Sequence, residues 1–212
     1  MGRIFESLDD TLRAWIAEQP MFFVATAPRD AGGHVNLSPK GARGAFQVLG
    51  PSRCAYLDLV GSGIETVAHL RENGRVTVMF CAFAGPPKVL RLYGHGQVVQ
   101  RHHQDFDELV EAFAPPDDLR DLVRSVITIG LTRISDSCGF VVPQMEFSGD
   151  RQHLMQWGER QASRHGNGWK DAFLAVNNQK SIDGLDGLDL PDLDPELADA
   201  EKTRFSSDGK AL

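Results

Sequence analysis

The apolar positions of this chain follow two periods, and the order in which they alternate sketches a fold. Between Leu8 and Glu18, the residues Leu8, Leu12, Trp15 and Ile16 recur at helical spacing behind candidate caps at Ser7 and Asp9, which predicts an opening amphipathic helix. Phe22 to Ala27 is rich in β-forming residues and runs into the turn sequence Pro28-Arg29-Asp30-Ala31-Gly32-Gly33. It predicts one arm of a hairpin whose second arm is His34 to Ser38. Strands follow at Phe46 to Leu49 and Arg53 to Leu59. A Gly-Ser-Gly break then leads into Ile64, Val67, Ala68 and Leu70, a short helix that ends near the stop signal Asn73-Gly74. Two long strands, Arg75 to Phe83 and Lys88 to Val99, flank Gly85-Pro86-Pro87 and should pair antiparallel, with Gly94 and Gly96 marking a bulge or a close approach.

Farther on, Asp105 to Phe113 reads as a helix stopped by Pro115-Pro116, and Ser125 to Ile134 returns to β-rich sequence. After Gly149 the pattern is helical, at Arg151 to Ala162 and Trp169 to Val176. About six strands with meander-like turns and few interrupting helices predict a mainly β (α+β) fold, a small antiparallel barrel rather than alternating βαβ units. The expected organisation is a barrel over residues 1–150, a helical extension of the same domain over 151–187, and an acidic, flexible tail over 188–212.

Composition narrows the function. With 42% hydrophobic residues in 212, the chain can bury one substantial core. The longest apolar runs, such as Val76 to Ala84, are too short to cross a bilayer, and Met1 to Ser7 carries no basic segment followed by an apolar one, so a cytoplasmic protein is expected. Cys54, Cys81 and Cys138 are odd in number, far apart and form no CxxC, which suggests reduced thiols rather than a disulfide framework or a zinc site. A net charge of −7 argues against nucleic-acid binding, which needs a cationic surface. Much of that charge is local. Asp183, Asp186, Asp189, Asp192, Asp194, Glu196, Asp199 and Glu201 stand without a Lys or Arg among them, so the body before them is nearly neutral and can hold a cationic pocket.

Three segments carry candidate chemistry. In Leu57-Asp58-Leu59-Val60-Gly61-Ser62-Gly63-Ile64-Glu65-Thr66, a strand passes through a Gly-flanked Ser into a helix. Free amides at a helix start, close backbone approach at Gly61 and Gly63, and the hydroxyls of Ser62 and Thr66 would suit a phosphomonoester. The competing reading is structural, because Ser62 and Glu65 also spell a capping box. Asn36, Ser38 and Lys40 alternate along one strand, where polar groups could meet a flavin edge and Lys40 could supply the cation that stabilises an anionic reduced ring; the plain alternative is an exposed strand face. Arg91, on an otherwise apolar strand opposite Leu90 and Leu92, calls for an anionic partner, either a flavin phosphate or a carboxylate. His102-His103 lacks metal-ligand spacing, and no GxSxG, HExxH, Walker loop or GxGxxG occurs.

Taken as an ordered set, Phe22-Phe23-Val24-Ala25-Thr26, Asn36-Leu37-Ser38-Pro39-Lys40-Gly41, Ala55-Tyr56-Leu57-Asp58, Gly61-Ser62-Gly63, Thr66 and Leu70-Arg71-Glu72-Asn73-Gly74-Arg75-Val76 resemble the pyridoxamine 5′-phosphate oxidase-like FMN-binding proteins. Arg91-Leu92-Tyr93-Gly94-His95-Gly96, Ser137-Cys138-Gly139-Phe140-Val141-Val142-Pro143 and Ser181-Ile182-Asp183-Gly184-Leu185 extend the resemblance over most of residues 1–187. It implies a six-stranded antiparallel split β-barrel with peripheral helices, and a homodimer with two FMN sites at the subunit interface. The cofactor-binding residues it implies are Asn36, Ser38, Lys40, Asp58, Ser62, Gly63 and Thr66, with Lys88 and Arg91 as further cations. Oxidases acting on the vitamin carry an Arg at the place of Asn36 and a basic Ser-Arg-Lys run where this chain has Gly-Ile-Glu. They also have a C-terminal Arg-containing motif with no counterpart here, so a different small-molecule substrate is expected. The leading expectation is an FMN-dependent oxidoreductase. The alternatives are a deazaflavin-dependent reductase and a non-catalytic flavin- or haem-binding protein.

Overall fold

The computed structural model describes residues 2–166 and 168–190. Its elements, in chain order, are β1 (Ile4–Phe5), α1 (Asp10–Glu18), β2 (Phe22–Thr26), β3 (Asn36–Lys40), β4 (Phe46–Gly50), β5 (Arg53–Leu59), α2 (Glu65–Asn73), β6 (Arg75–Cys81), β7 (Val89–Gln100), α3 (Phe106–Phe113), α4 (Asp117–Arg120), β8 (Val123–Ser137), α5 (His153–His165) and α6 (Trp169–Asn177). The strands form one antiparallel sheet in the order β3-β2-β6-β7-β8-β5-β4, with β1 also paired to β8. This is the expected mainly β split-barrel architecture, in which a strongly curled sheet wraps its own core.

Among the described residues the sheet has eight strands, two more than expected. β1 is two residues long, too short to show any alternation, and gains its pairing from β8. β8 itself runs from Val123 to Ser137 because β7, β5 and β1 all pair with it, which holds its polar second half extended. β3 lies two residues later than the expected second hairpin arm and includes Pro39 and Lys40. The Gly85-Pro86-Pro87 turn does join an antiparallel pair. Gly94 marks both a register shift and a close approach: a Cβ there would stand 2.2 Å from the Gly130 carbonyl oxygen. α2 ends at Gly74, whose φ of 72° is the left-handed conformation expected of a C-terminal glycine.

Two apolar clusters hold the body. Inside the barrel, Phe22, Phe46, Tyr56 and Phe80 pack with ring centroids 5.0 to 5.6 Å apart, and α1 lays Leu12 and Ile16 over them. Outside it, Phe106, Val110 and Phe113 of α3 cover Leu57, Val99 and Val126. Each fully buried side chain of this size contributes about 1.5–3 kcal/mol.

The first residues of the tail expected from 188 pack against the body. Leu188 is buried in the main cluster, and Asp189 accepts from Arg71 and Gln100, so these residues belong to the body. An apolar side chain with a place in the core outweighs the acidic composition around it. The remainder of that expected tail, from residue 191 onward, lies outside the described residues.

Candidate functional site

The site begins at an irregularity in strand pairing. β5 and β8 run in register until Asp58 meets Ser125, after which Leu59 meets Val123. Arg124 is therefore the extra residue of a bulge, and the bulge turns its side chain inward. There the guanidinium uses all five N–H donors within the chain. Nε donates to Asp58 Oδ2 at 2.7 Å, Nη2 to Asp58 Oδ1 at 3.3 Å and to the Gly63 carbonyl at 2.7 Å, and Nη1 to the Gly61 carbonyl at 2.9 Å and Asn178 Oδ1 at 2.8 Å. Asn178, just past α6, completes the grip by donating to the carbonyls of Gly61 at 3.0 Å and Ser62 at 3.4 Å.

This arrangement decides how the Gly61-Ser62-Gly63 loop presents itself. Its carbonyls face the buried Arg124 and Asn178, while, among the described residues, the N–H groups of Gly61, Ser62 and Gly63 make no hydrogen bond. The loop thus has unengaged amides beside the start of α2, the arrangement on which an anion-binding reading of its sequence rests.

Asp58 is fully buried and lies beneath the loop. Burial pushes its carboxyl upward, but the charges of Arg124 and Lys40 and the hydrogen bonds from Arg124 and Ser125 outweigh it. The group is held below the usual carboxylate range and stays ionised. Ser125 Oγ donates to it at 3.0 Å, and Lys40 Nζ approaches at 3.4 Å from the other side. Asp58 thus holds two cations in place and acts through them.

The capping box predicted from Ser62 and Glu65 does not form. α2 begins with Ile64 as its cap residue, so Glu65 falls in the first helical position instead of the third, and Ser62 is exposed. The pull of Arg124 on the loop carbonyls keeps residues 61–63 out of the helix. Glu65 caps in its own way, with Oε2 accepting from the Ile64 amide at 3.1 Å and Oε1 from Ile182 at 3.4 Å. Its carboxylate hangs over Gly63, 3.2 Å from where a Cβ would sit.

Beside the loop opens a cleft of about 750 Å³, a size that suits a cofactor-sized ligand. Ser38, Lys40, Gly61, Gly63, Thr66 and Arg124 line one wall, and Asp150, Arg151, Leu154 and Met155 another. Asn36 stands behind that first wall and orders it, donating to Thr66 Oγ1 at 2.9 Å and accepting from Ser38 at 2.9 Å.

Of the residues singled out in the sequence, Asn36, Ser38, Lys40, Asp58, Gly63 and Thr66 therefore converge, with Ser62 exposed on the loop beside them. Lys88 and Arg91 stand elsewhere in the chain. Lys88 lies over the Trp15 ring, 4.8 Å from its centroid, and Arg91 donates to Ser137 Oγ at 3.1 Å and pairs with no carboxylate among the described residues. Arg124, Ser125 and Asn178 were not anticipated. Arg124 did carry a signal, a charge within the apolar run Leu122 to Ile127, the same signal that drew attention to Arg91. Asn178 carried none.

Among the described residues no helix is long and apolar enough to cross a membrane, and no cluster of candidate ligands could hold a metal ion. A sequence model of the pyridoxamine 5′-phosphate oxidase family matches residues 8–138. The chain is 39% identical over 203 residues to the pyridoxamine 5′-phosphate oxidase family protein ustO of Aspergillus flavus, covering 89% of this chain and 78% of that one. Among solved structures, HupZ of Group A Streptococcus aligns with a TM-score of 0.46 at 20% identity over 59% of this chain and 90% of that one. An FMN-binding protein of Syntrophomonas wolfei aligns with a TM-score of 0.43 at 14% identity over 57% and 79%. With more than half of its length matched by the family pattern and a family relative at this identity across most of both sequences, the protein belongs to the pyridoxamine 5′-phosphate oxidase family.

Proposed function

We propose that the chain is a cytosolic FMN-dependent oxidoreductase that works as a homodimer on a small molecule other than pyridoxamine phosphate. The observation that carries the cofactor reading is the Gly61-Ser62-Gly63 loop, whose carbonyls are engaged by Arg124 and Asn178 while its amides make no hydrogen bond among the described residues. Those amides and the hydroxyls of Ser62 and Thr66 would hold the phosphate. Lys40, 3.4 Å from the buried Asp58, offers a fixed positive charge along the same wall. When bound, FMN supplies hydride and electron transfer, and the protein supplies position and electrostatics. The chain's own contribution is an apolar and polar wall that orients the ring, and a buried ion network that holds Lys40 and the loop before any ligand arrives.

The dimer reading rests on the outer face of the sheet. Across β3, β2, β6, β7 and β8, the registered rows Pro39-Phe23-Met79-Arg91-Ser135 and Leu37-Ala25-Thr77-Tyr93-Arg133 lie side by side. Leu37 and Val35 are 62% and 74% exposed, beside an open groove of about 460 Å³ that holds Tyr93 and Arg75. A face of this breadth, apolar over β3 and β2 and carrying Arg91 and Arg133 over β7 and β8, fits a second copy and would give Arg91 a partner outside its own chain. Two buried and one exposed free cysteine suit a reducing compartment.

An absorbance spectrum of the purified protein is the first test. Flavin bands near-stoichiometric with protein are expected after incubation with FMN, together with a dimer mass by light scattering. A Soret band, or binding of a deazaflavin in preference to FMN, would replace the cofactor reading. A monomer at micromolar concentration would remove the dimer.

A further inference from the structure

Behind the cleft wall lies a chain of polar groups that the cofactor reading leaves unused. His69 of α2 is fully buried, its Nδ1 is 2.9 Å from Thr26 Oγ1, and its Nε2 has no partner among the described residues. Thr26 pairs with Asn36 across β2 and β3. Asn36 Nδ2 donates to Thr26 Oγ1 at 3.2 Å and to Thr66 Oγ1 at 2.9 Å, while Asn36 Oδ1 accepts from Ser38 Oγ at 2.9 Å. Both amide hydrogens are spent on threonine oxygens, so the single hydrogen of Thr66 is free for the cleft. The single hydrogen of Ser38 is spent on Asn36, so Ser38 can only accept there.

We propose that the tautomer of His69 fixes the orientation of the Asn36 amide and, through it, which of Ser38 and Thr66 donates to a ligand in the cleft and which accepts. The logic follows from counting hydrogens. Thr26 is buried and its only neighbours in the network are His69 and Asn36. With Asn36 donating to it, its own hydrogen must go to Nδ1, which requires the Nε2–H tautomer. If Nδ1 carries the proton, Thr26 accepts it, and its own buried hydrogen is satisfied within the network only by donating to Asn36. The amide then has to turn so that Oδ1 faces Thr26 and Thr66, and Nδ2 donates to Ser38. In that state Ser38 donates to the cleft and Thr66 accepts.

The other end of the ring opposes the first state. An Nε2–H buried without an acceptor is costlier than a bare Nε2 lone pair, so the imidazole end favours Nδ1–H while the amide as placed favours Nε2–H. Protonation of His69 fills both nitrogens and forces the turned amide. Burial holds the imidazole pKa below its ordinary value, against the pull of the Asp183, Glu65 and Glu72 carboxylates and the bond to Thr26. Asp183 is itself tied to His34 at 2.6 Å. β2 brings the hydroxyl and the backbone of Thr26 to the ring, and the nearest basic side chains of β6 and β7, Arg75 and His95, lie at the Gly74 end of this helix, with Arg75 held by Asn73. The wall thus offers a donor from Thr66 toward a phosphate and an acceptor from Ser38 beside it, and both roles invert when the amide turns. This consequence rests on the cleft being the cofactor site; the coupling itself does not.

The test uses the full chain labelled with ¹⁵N, free of ligand. Long-range correlations of the His69 imidazole report its tautomer, and the side-chain amide of Asn36 is followed as pH is lowered. The Asn36 resonances should move with the titration of His69 in the parent and in Thr26→Ser. In Thr26→Val they should stay still while His69 still titrates. An Asn36 amide that ignores His69 in the parent, or follows it equally in Thr26→Val, overturns the inference, as does a His69 that keeps one tautomer at every pH where the fold persists. In a second arm, FMN affinity is measured against pH. An inflection at the His69 titration is expected in the parent and should be absent in Thr26→Val. If the parent does not bind FMN, the cofactor reading falls, and the ligand-free titration still decides the coupling.

Discussion

Glu65 is the residue where an expected anion site and an observed anion collide. Its carboxylate accepts from the Ile64 amide at 3.1 Å and lies over Gly63, at the mouth of the cradle that would hold the FMN phosphate. Glu65→Gln removes the charge and keeps a carbonyl oxygen for the Ile64 amide. Taking about 5 Å between this carboxylate and a bound phosphate, one pair of like charges repels by about 3 kcal/mol at an effective dielectric of about 20 and by about 1 kcal/mol in bulk water. FMN should therefore bind Glu65→Gln about five- to a hundredfold more tightly. Riboflavin, which lacks the phosphate, should bind parent and variant alike, and the gain should shrink as salt is raised. The same change takes a negative charge from a helix N-terminus and should cost about 0.3–1 kcal/mol of stability. Fluorescence titration of both ligands, with thermal melts alongside, separates the two effects. FMN binding that is unchanged or weaker in Glu65→Gln would show that no phosphate sits at this loop.

Other outcomes follow from the same network. Thr66→Val should weaken FMN by about 1–3 kcal/mol and leave riboflavin unaffected, whereas Ser62→Ala, now without a capping role, should lose FMN affinity without the ~1 kcal/mol stability cost of a lost cap; calorimetry and melts check both. Arg124→Met should cost about 3–5 kcal/mol by leaving Asp58 charged and buried, and should fail to express or melt early. Tyr56 buries a hydroxyl with no partner among the described residues, so Tyr56→Phe should be neutral or stabilising by about 1 kcal/mol in a denaturant titration. Because the Asp58 carboxyl is depressed on folding, its contribution is complete above the unfolded value near 3.9 and is lost as pH falls through the lower folded value. Melting temperature should accordingly drop steeply below about pH 4, and a parent that is as stable at pH 3 as at pH 6 would contradict this.

What the sequence revealed of this fold was set by how local the determinants are. The β6–β7 hairpin, the α2 stop at Gly74 and the amphipathic α1 each depend on residues within one turn or one strand, and all three appear where expected. β1 depends on a partner more than a hundred residues away, and β8 on three partners, so neither its start nor its end is marked by neighbours in sequence. The site divides in the same manner. Asn36, Ser38 and Lys40 alternate visibly along one strand. Arg124 reaches the loop only because a bulge turns it, and a bulge arises from the register between two strands, which no single segment encodes.

The same distinction applies to the C-terminal segment, which contacts the candidate site although the family pattern stops at residue 138. Asn178 holds the loop carbonyls, the Ile182 amide steadies Glu65, Asp183 binds both the amide and the ring of His34, and Gly187 and Asp189 take Arg71. Six hydrogen bonds to five residues of one short stretch thus converge on α2, its entry loop and the β2–β3 hairpin, so a change there reaches the loop without touching a ligand. Asn178→Ala tests this directly. It removes the second donor to Gly61 and one of five acceptors from Arg124, which should cost about 1–3 kcal/mol and loosen the loop that presents the free amides. FMN affinity should fall while riboflavin affinity changes little, because only the phosphate end depends on those amides. Amide exchange at Gly61 to Gly63 should change with it. If Asn178→Ala destabilises the protein yet binds FMN as the parent does, the loop is preorganised by Arg124 alone, and the C-terminal segment is ballast for the fold and no part of the site.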